Sequence, residues 1–358
     1  MASKSSKVLR LIEPHKIEEV TIERSLLPHE VLIEPELVSI CHADLRYYTG
    51  QRRQEALAKK LPMALFHEGI GTVLESNSEE IKNGQRVVIV PNLPAYEMHG
   101  TAKEECCEYC NGIGENYCEH GGFLASGIDG MAQSRLVISA SNAIPIPDDV
   151  PDHIAVLTEL CSVSHQALER VRDRLQSGTA VVFGDGPVGY MTAAMLHHMY
   201  KLNDDRLTVF GAIEEKLNNF DFAQRQMVQT YNFENGPLVD IAIECTGGKF
   251  SQSAINQAIQ ILKPGGVLIL MGVTEDLVPI NTRDVLEKGI TMFGSSRSTA
   301  YDFKQIIQAM RQPAYQQSLN KIVPKHYENV STADQLAKVM ESAAAHRSWE
   351  KTIIQFNW

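Results

Sequence analysis

Ala180-Val181-Val182-Phe183-Gly184-Asp185-Gly186-Pro187-Val188-Gly189 joins a buried apolar run to a glycine turn, and an apolar-periodic segment then continues to Met199. Read as strand, turn and helix, the stretch gives each glycine a mechanical task. Gly184 permits the tight turn, Gly186 lets the backbone approach a pyrophosphate, and Gly189 lets the helix sit against the sheet. Pro187 suits the first helical turn. Pro187 has no N–H to offer, but the N–H groups from Val188 onward open a helix whose positive dipole end favours phosphate. An ordinary glycine turn is the bland explanation, and the flanking strand and helix are what argue against it.

Outward from this loop, apolar runs at 207–210, 241–244, 267–271 and 290–293 read as further strands separated by helical or turn segments. The alternation predicts an α/β fold with a Rossmann-type, doubly wound parallel sheet. Before it, short runs at 31–35, 70–74 and 86–90 are bounded by Gly, Pro or Asn and predict a compact β-rich domain. Residues 301–311 read as a helix, and the last strand at 351–356 is expected to return to the first domain. The expected boundaries are 1–160 with 298–358 for the discontinuous β-rich domain, and 161–297 for the dinucleotide domain. No internal repeat or low-complexity tract is evident.

Length and composition fit a two-domain globular enzyme of 358 residues, with 44% hydrophobic and 22% charged residues. The balance of 33 Lys+Arg against 44 Asp+Glu leaves a net charge of -11, which disfavours nucleic acid and anionic membrane as partners. An anionic substrate must then find a local basic patch. The N-terminus, Met1 to Lys7, is basic but lacks the apolar run of a secretion signal, so a cytoplasmic protein is expected. Seven cysteines in that setting suggest metal or buried thiols rather than disulfides.

Cys41, His67 and Glu159 offer a thiolate, an imidazole and a carboxylate. Three such ligands can hold Zn²⁺ with a fourth position open, the arrangement of a catalytic site. Singly, each has a bland alternative as a buried thiol, a core histidine or a surface acid. Glu68 could replace a bound water on the metal, hydrogen-bond the site or help orient it, and Asp44 could orient the His67 ring or cap a loop. Cys107, Cys110 and Cys118 have the spacing of a closed structural zinc lobe, with Glu104 at the expected fourth position and Cys106 as its substitute. A thiol-rich loop is the competing explanation.

Near Cys41 the chain turns basic and aromatic, with Arg46, Tyr47, Tyr48, Arg52, Arg53, Lys59 and Lys60. Arg46, Arg52 and Arg53 are candidates for a substrate phosphate, against a solvated helix face. At the end of the second Rossmann strand, Gly211 replaces the acid that binds a ribose hydroxyl pair. The glycine is expected to leave room for a 2′-phosphate that Lys216 could neutralise, favouring NADPH, although Glu214 and Glu215 oppose this.

Together these residues resemble the zinc-containing medium-chain dehydrogenase/reductase family, closest to its ribulose-5-phosphate reductase branch. The resemblance rests on Ala43-Asp44-Leu45-Arg46-Tyr47-Tyr48-Thr49-Gly50, Lys60-Leu61-Pro62-Met63, His67-Glu68, Thr158-Glu159-Leu160 with Ser162-Val163-Ser164, Gly184-Asp185-Gly186, and Gly294-Ser295-Ser296-Arg297-Ser298. It implies a GroES-like catalytic domain, catalytic and structural Zn²⁺, and NADPH held by the glycine loop with Thr246, Gly272, Ser295 and Arg297. It further implies reduction of D-ribulose 5-phosphate to D-ribitol 5-phosphate for CDP-ribitol and wall or capsular polymers. A cytidylyltransferase partner and a homodimer or homotetramer belong to the same implication. Glu68, Asp44 and Tyr47 would serve the chemistry, Tyr47 by positioning a sugar hydroxyl.

One departure is that Ala43 and Arg46 stand where related enzymes carry a hydroxyl and a histidine for proton relay. Another is Glu104 in the cysteine lobe. The alternatives are a zinc-dependent polyol or secondary-alcohol dehydrogenase acting on an unphosphorylated substrate, and a non-catalytic NADPH-binding protein.

Overall fold

A computed structural model describes residues 3–346 and 348–358; Met1 and Ala2 of the basic N-terminal stretch lie outside them. The chain divides into two compact units. One runs to Glu159 and takes in Ser298–Arg311 and Ile322–Trp358; the other is Leu160–Arg297 with Gln312–Lys321. Among the described residues, no helix is long and apolar enough to cross a membrane.

The second unit is built on six parallel strands in the order Gln224–Met227, Leu207–Gly211, Ala180–Phe183, Val239–Glu244, Leu262–Leu270, Thr291–Gly294. Ala180–Phe183 is buried throughout, as a strand covered on both faces must be. Lys263-Pro264-Gly265-Gly266 lies inside the strand Leu262–Leu270 as an irregularity. Register there jumps from Val239↔Leu262 to Ile241↔Val267, with Gly265 at φ +73°. Residues 312–321, placed by the sequence boundaries in the first domain, cluster instead with the second unit. Burial explains the difference: Tyr315 is fully buried with its hydroxyl 3.7 Å from Cys161 Sγ, and the Tyr190 hydroxyl donates to Ser318 O at 2.9 Å.

The first unit is organised around the strand Glu30–Ser39, which pairs antiparallel with Glu68–Ser76 on one side and Ile353–Phe356 on the other. Register sets Ser39 opposite both Glu68 and Ile353, so residues remote in sequence meet at one strand end. An antiparallel hairpin, Lys4–Glu13 with Lys16–Arg24, forms part of a second sheet.

Asp129 ties that sheet to the loop before it. Its carboxylate accepts from Arg10 Nε at 2.9 Å, Arg10 Nη2 at 2.6 Å and the Ala64 N–H at 2.9 Å. Burial alone would raise this carboxyl, but the Arg10 and Ala64 hydrogen bonds and the charges of Arg10 and Arg24 hold it below the usual range. Its contribution to stability is therefore present above an unfolded value near ~3.9 and is lost as pH falls through the lower folded value. Asp129→Asn is expected to cost about 1.5–3 kcal/mol at neutral pH. Denaturant titrations should show the gap to wild type closing in acid; a gap independent of pH would contradict this account.

Candidate active site and metal centres

The helix His42–Tyr48 starts from Cys41, and Asp44 in its first turn accepts the Cys41 N–H at 2.9 Å. The other Asp44 oxygen accepts the Phe66 N–H at 3.1 Å and lies 3.7 Å from His67 Nδ1. Asp44 thus both caps the helix and faces the imidazole. Phe66 has φ +74°, unfavourable for a bulky residue, and this backbone turn immediately precedes His67. It is secured by the bond from Asp44 and by the Met131 N–H donating to Phe66 O at 2.8 Å.

Ligand atoms of Cys41, His67 and Glu68 lie within 4.8 Å of one another. Glu68 is fully buried, and its two oxygens differ. Oε2 accepts from Ser39 Oγ and pairs with Lys351 Nζ at 2.8 Å. Oε1 is buried with no hydrogen-bond partner. An orphaned carboxylate oxygen beside a thiol and an imidazole suits a cation, since a buried oxygen left unsatisfied is costly. Glu159 stands outside this tight group but is buried and within its field. Burial first, with Glu68 and Asp44 adding to it against His67 and Lys351, pushes its carboxyl up to about 7. Burial and then Glu68 likewise push the Cys41 thiol up, a penalty that a bound dication would reverse. For His67 burial acts downward, but the charges of Asp44 and Cys41 outweigh it and raise the imidazole well above its ordinary value.

Lys351 was not a candidate from the sequence. It is buried, donates to Ile40 O at 2.9 Å, and is the cationic partner of Glu68. Burial lowers its ammonium, yet Glu68 and Cys41 together raise it. The available signal was a charged residue heading the apolar run 351–356.

Cys106, Cys107, Cys110 and Cys118 form a second group, with Sγ separations of 3.7, 3.8 and 3.9 Å and no disulfide. A tetrahedron with Zn–S of about 2.3 Å has edges of about 3.8 Å, so four thiolates spaced in this way fit Zn²⁺. Glu104 is exposed in the turn Lys103–Glu105 and is not in the group; Cys106 takes the fourth corner. The Glu119 and Cys110 N–H groups hold the Cys107 thiol down at about 6, a state suited to a metal ligand. Cys110→Ser is expected to remove one equivalent of zinc and to lower the thermal midpoint, while the metal at Cys41 and His67 stays. Metal analysis showing the same zinc content as wild type would contradict the assignment.

In the second unit Gly184 has φ +133°, and a Cβ at Gly189 would collide with the Gly184 carbonyl. A Cβ at Gly186 would meet nothing within 4 Å, leaving that face of the loop open. Pro187 begins the helix Pro187–His198, followed by Val188 and Gly189. The buried Glu244 fixes two loops: it accepts the Thr246 N–H at 2.9 Å and the Gly272 N–H at 3.1 Å. Ser295 bonds Gln166 through its hydroxyl and Leu270 O through its N–H, and Arg297 adopts φ +61°. At Gly211 the position of a side chain is already taken. A Cβ there would meet Leu217 Cγ at 2.7 Å and Asp185 Cβ at 2.8 Å, so the glycine serves packing of the loop against this strand end. Ala212 and Ile213 follow it, both exposed, and their N–H groups donate to Asp185 at 2.7 and 2.8 Å. Lys216 is half-buried in the short helix Glu214–Leu217.

The basic patch is resolved more finely than the sequence allowed. The Arg52 guanidinium lies 4.7 Å from the centre of the buried Tyr47 ring, and Arg46 is half-buried. Arg53, paired with Arg52 in the sequence reading, is exposed at the start of the helix Gln54–Lys60. Lys60 is the other cation near Tyr47, with Nζ 5.8 Å from the same ring and 2.7 Å from Ser126 Oγ. Burial would raise the Tyr47 hydroxyl, but Ser126, Lys60 and Arg52 outweigh it and hold it below its ordinary value.

Comparison with known proteins identifies the family. Residues 27–148 match the alcohol dehydrogenase GroES-like domain and residues 219–312 the zinc-binding dehydrogenase domain. The chain is 36% identical over 354 residues to ribulose-5-phosphate reductase 1 of Staphylococcus aureus, covering 98% of this chain and 99% of that protein. It is 35% identical to the ribulose-5-phosphate reductase of Bacillus spizizenii with the same coverage. The crystal structure of S. aureus TarJ in complex with NADPH superposes with a TM-score of 0.83 at 32% identity, covering 99% of this chain and 100% of that one. The fold and donor set define a zinc-binding oxidoreductase, and the chain belongs to the zinc-containing medium-chain dehydrogenase/reductase family. Within that family it stands beside the ribulose-5-phosphate reductases.

Proposed function

We propose that the protein reduces D-ribulose 5-phosphate to D-ribitol 5-phosphate with NADPH. Full-length similarity to ribulose-5-phosphate reductases carries the reading, and the orphaned Glu68 Oε1 beside Cys41 and His67 supplies a site suited to the chemistry. Cys41, His67 and Glu159 would hold zinc, with Glu68 as an exchangeable fourth ligand. Zinc, when bound, supplies Lewis acidity that polarises a ketone and stabilises negative charge developing on its oxygen.

The chain's own groups do the rest. Asp44 holds the His67 ring in one orientation. Lys351 and Ser39 occupy Glu68 Oε2 and leave Oε1 free to take or pass a proton, the role that Ala43 and Arg46 cannot fill. Tyr47 would orient a sugar hydroxyl, and Arg46 and Arg52 would attract the phosphate. The glycine loop Gly184–Gly189, with Thr246, Gly272, Ser295 and Arg297, would bind NADPH. Lys216 would face its 2′-phosphate. Ribitol 5-phosphate then passes to a cytidylyltransferase, in a cytoplasmic homo-oligomer.

The test is NADPH oxidation across phosphorylated and unphosphorylated ketoses. Ribulose 5-phosphate should be preferred over ribulose by at least a power of ten in kcat/KM, given that a charged hydrogen bond contributes about 1.5–3 kcal/mol. Equal use of both would overturn the phosphorylated substrate.

A further inference from the structure

Tyr47 carries two cations on one ring, Arg52 at 4.7 Å and Lys60 at 5.8 Å from its centre. Its hydroxyl lies 3.5 Å from Ser126 Oγ, the same oxygen that accepts from Lys60 Nζ at 2.7 Å. Two cations that converge on one ring set a positive local field that attracts an anion. In a chain with 44 acidic residues, Lys60 nonetheless pairs with no carboxylate among the described residues. The Lys60 ammonium, the Ser126 hydroxyl and the planar Arg52 fork are the donors that a phosphate monoester needs, with the Tyr47 ring as the platform beneath the two cations.

Position relative to the metal group supports the same ligand. Tyr47 follows Cys41 along one helix, an axial distance of about 9 Å at 1.5 Å per residue. Phe123, whose ring centre is 5.5 Å from that of His67, lies on the strand Gly122–Phe123 just before Ser126. Two chain segments that border the metal group therefore meet again at Lys60 and Ser126. The phosphate of a ketose 5-phosphate stands several bonds from its reacting carbonyl, and a subsite at this remove suits it.

We infer that Lys60 and Ser126, with Arg52 and Tyr47, form the subsite that selects a phosphorylated over an unphosphorylated ketose, Lys60 being the specificity-determining cation. This rests on the ketose-phosphate reading above. Arg53 and Lys59, both exposed, are outside it.

The test compares wild type, Lys60→Met, Lys60→Arg and the exposed-site control Lys59→Ala on ribulose 5-phosphate and ribulose, and measures inhibition by inorganic phosphate. Lys60→Met should reduce the preference for ribulose 5-phosphate by about 10- to 100-fold, mainly through KM, and weaken inhibition by inorganic phosphate by a similar factor. Lys60→Arg should restore part of both, and Lys59→Ala should change neither beyond about twofold. Loss of activity on both ketoses with the preference intact, or equal effects of Lys59→Ala and Lys60→Met, would overturn the subsite. If wild type does not discriminate between the ketoses, the parent reading fails. The subsite then stands or falls on whether Lys60→Met weakens inorganic phosphate.

Discussion

Cys41→Ser and His67→Ala are expected to strip the metal from the first unit and to lower turnover on ribulose 5-phosphate by roughly three powers of ten or more. Lewis-acid stabilisation of a developing oxyanion contributes several kcal/mol, and each ~1.36 kcal/mol is a factor of ten in rate. Binding of NADPH should persist, because the glycine loop Gly184–Gly189 belongs to the other unit. Metal analysis beside a fluorescence titration with NADPH separates the two effects. Unchanged zinc and unchanged turnover in both variants would reject the ligand assignment.

Lys351→Met is expected to have the largest effect on stability. It removes the cation from a fully buried carboxylate whose Oε2 it neutralises at 2.8 Å. Breaking a buried pair from one side costs about 3–5 kcal/mol, because the remaining charge is left uncompensated. Glu68→Gln combined with Lys351→Met should recover much of that loss, giving a strong coupling in the double-mutant cycle. Denaturant unfolding of the four proteins measures it. Additive losses would show that the two groups do not interact energetically.

The parallel sheet was legible because its signals are local. Ala180–Phe183 is uniformly apolar, and Gly184, Gly186 and Gly189 follow at the spacing a phosphate turn requires. The ligand types of the two metal groups were legible as well, but not the residues that surround them. Ser39, Glu68 and Lys351 are brought together by the register of Glu30–Ser39 with strands on either side, a long-range property that no short pattern encodes. Lys351 was missed for that reason. The choice between Arg52 and Arg53 depended on where the helix Gln54–Lys60 begins, and a one-residue difference turns a side chain from Tyr47 to solvent. The packing task of Gly211 was not legible, because Leu217 and Asp185 reach it only through the fold. Tyr315 drew its helix into the second unit through burial against elements far away in sequence.

Isotope transfer follows the proposed hydride itself, from NADPH to the ketone carbon of ribulose 5-phosphate. With NADPH carrying deuterium at the transferable position of nicotinamide C4, the account predicts ribitol 5-phosphate bearing deuterium at C2, one for each NADPH oxidised. NADPH oxidation without deuterium at that carbon, or no conversion of ribulose 5-phosphate by the zinc-loaded protein, would contradict it.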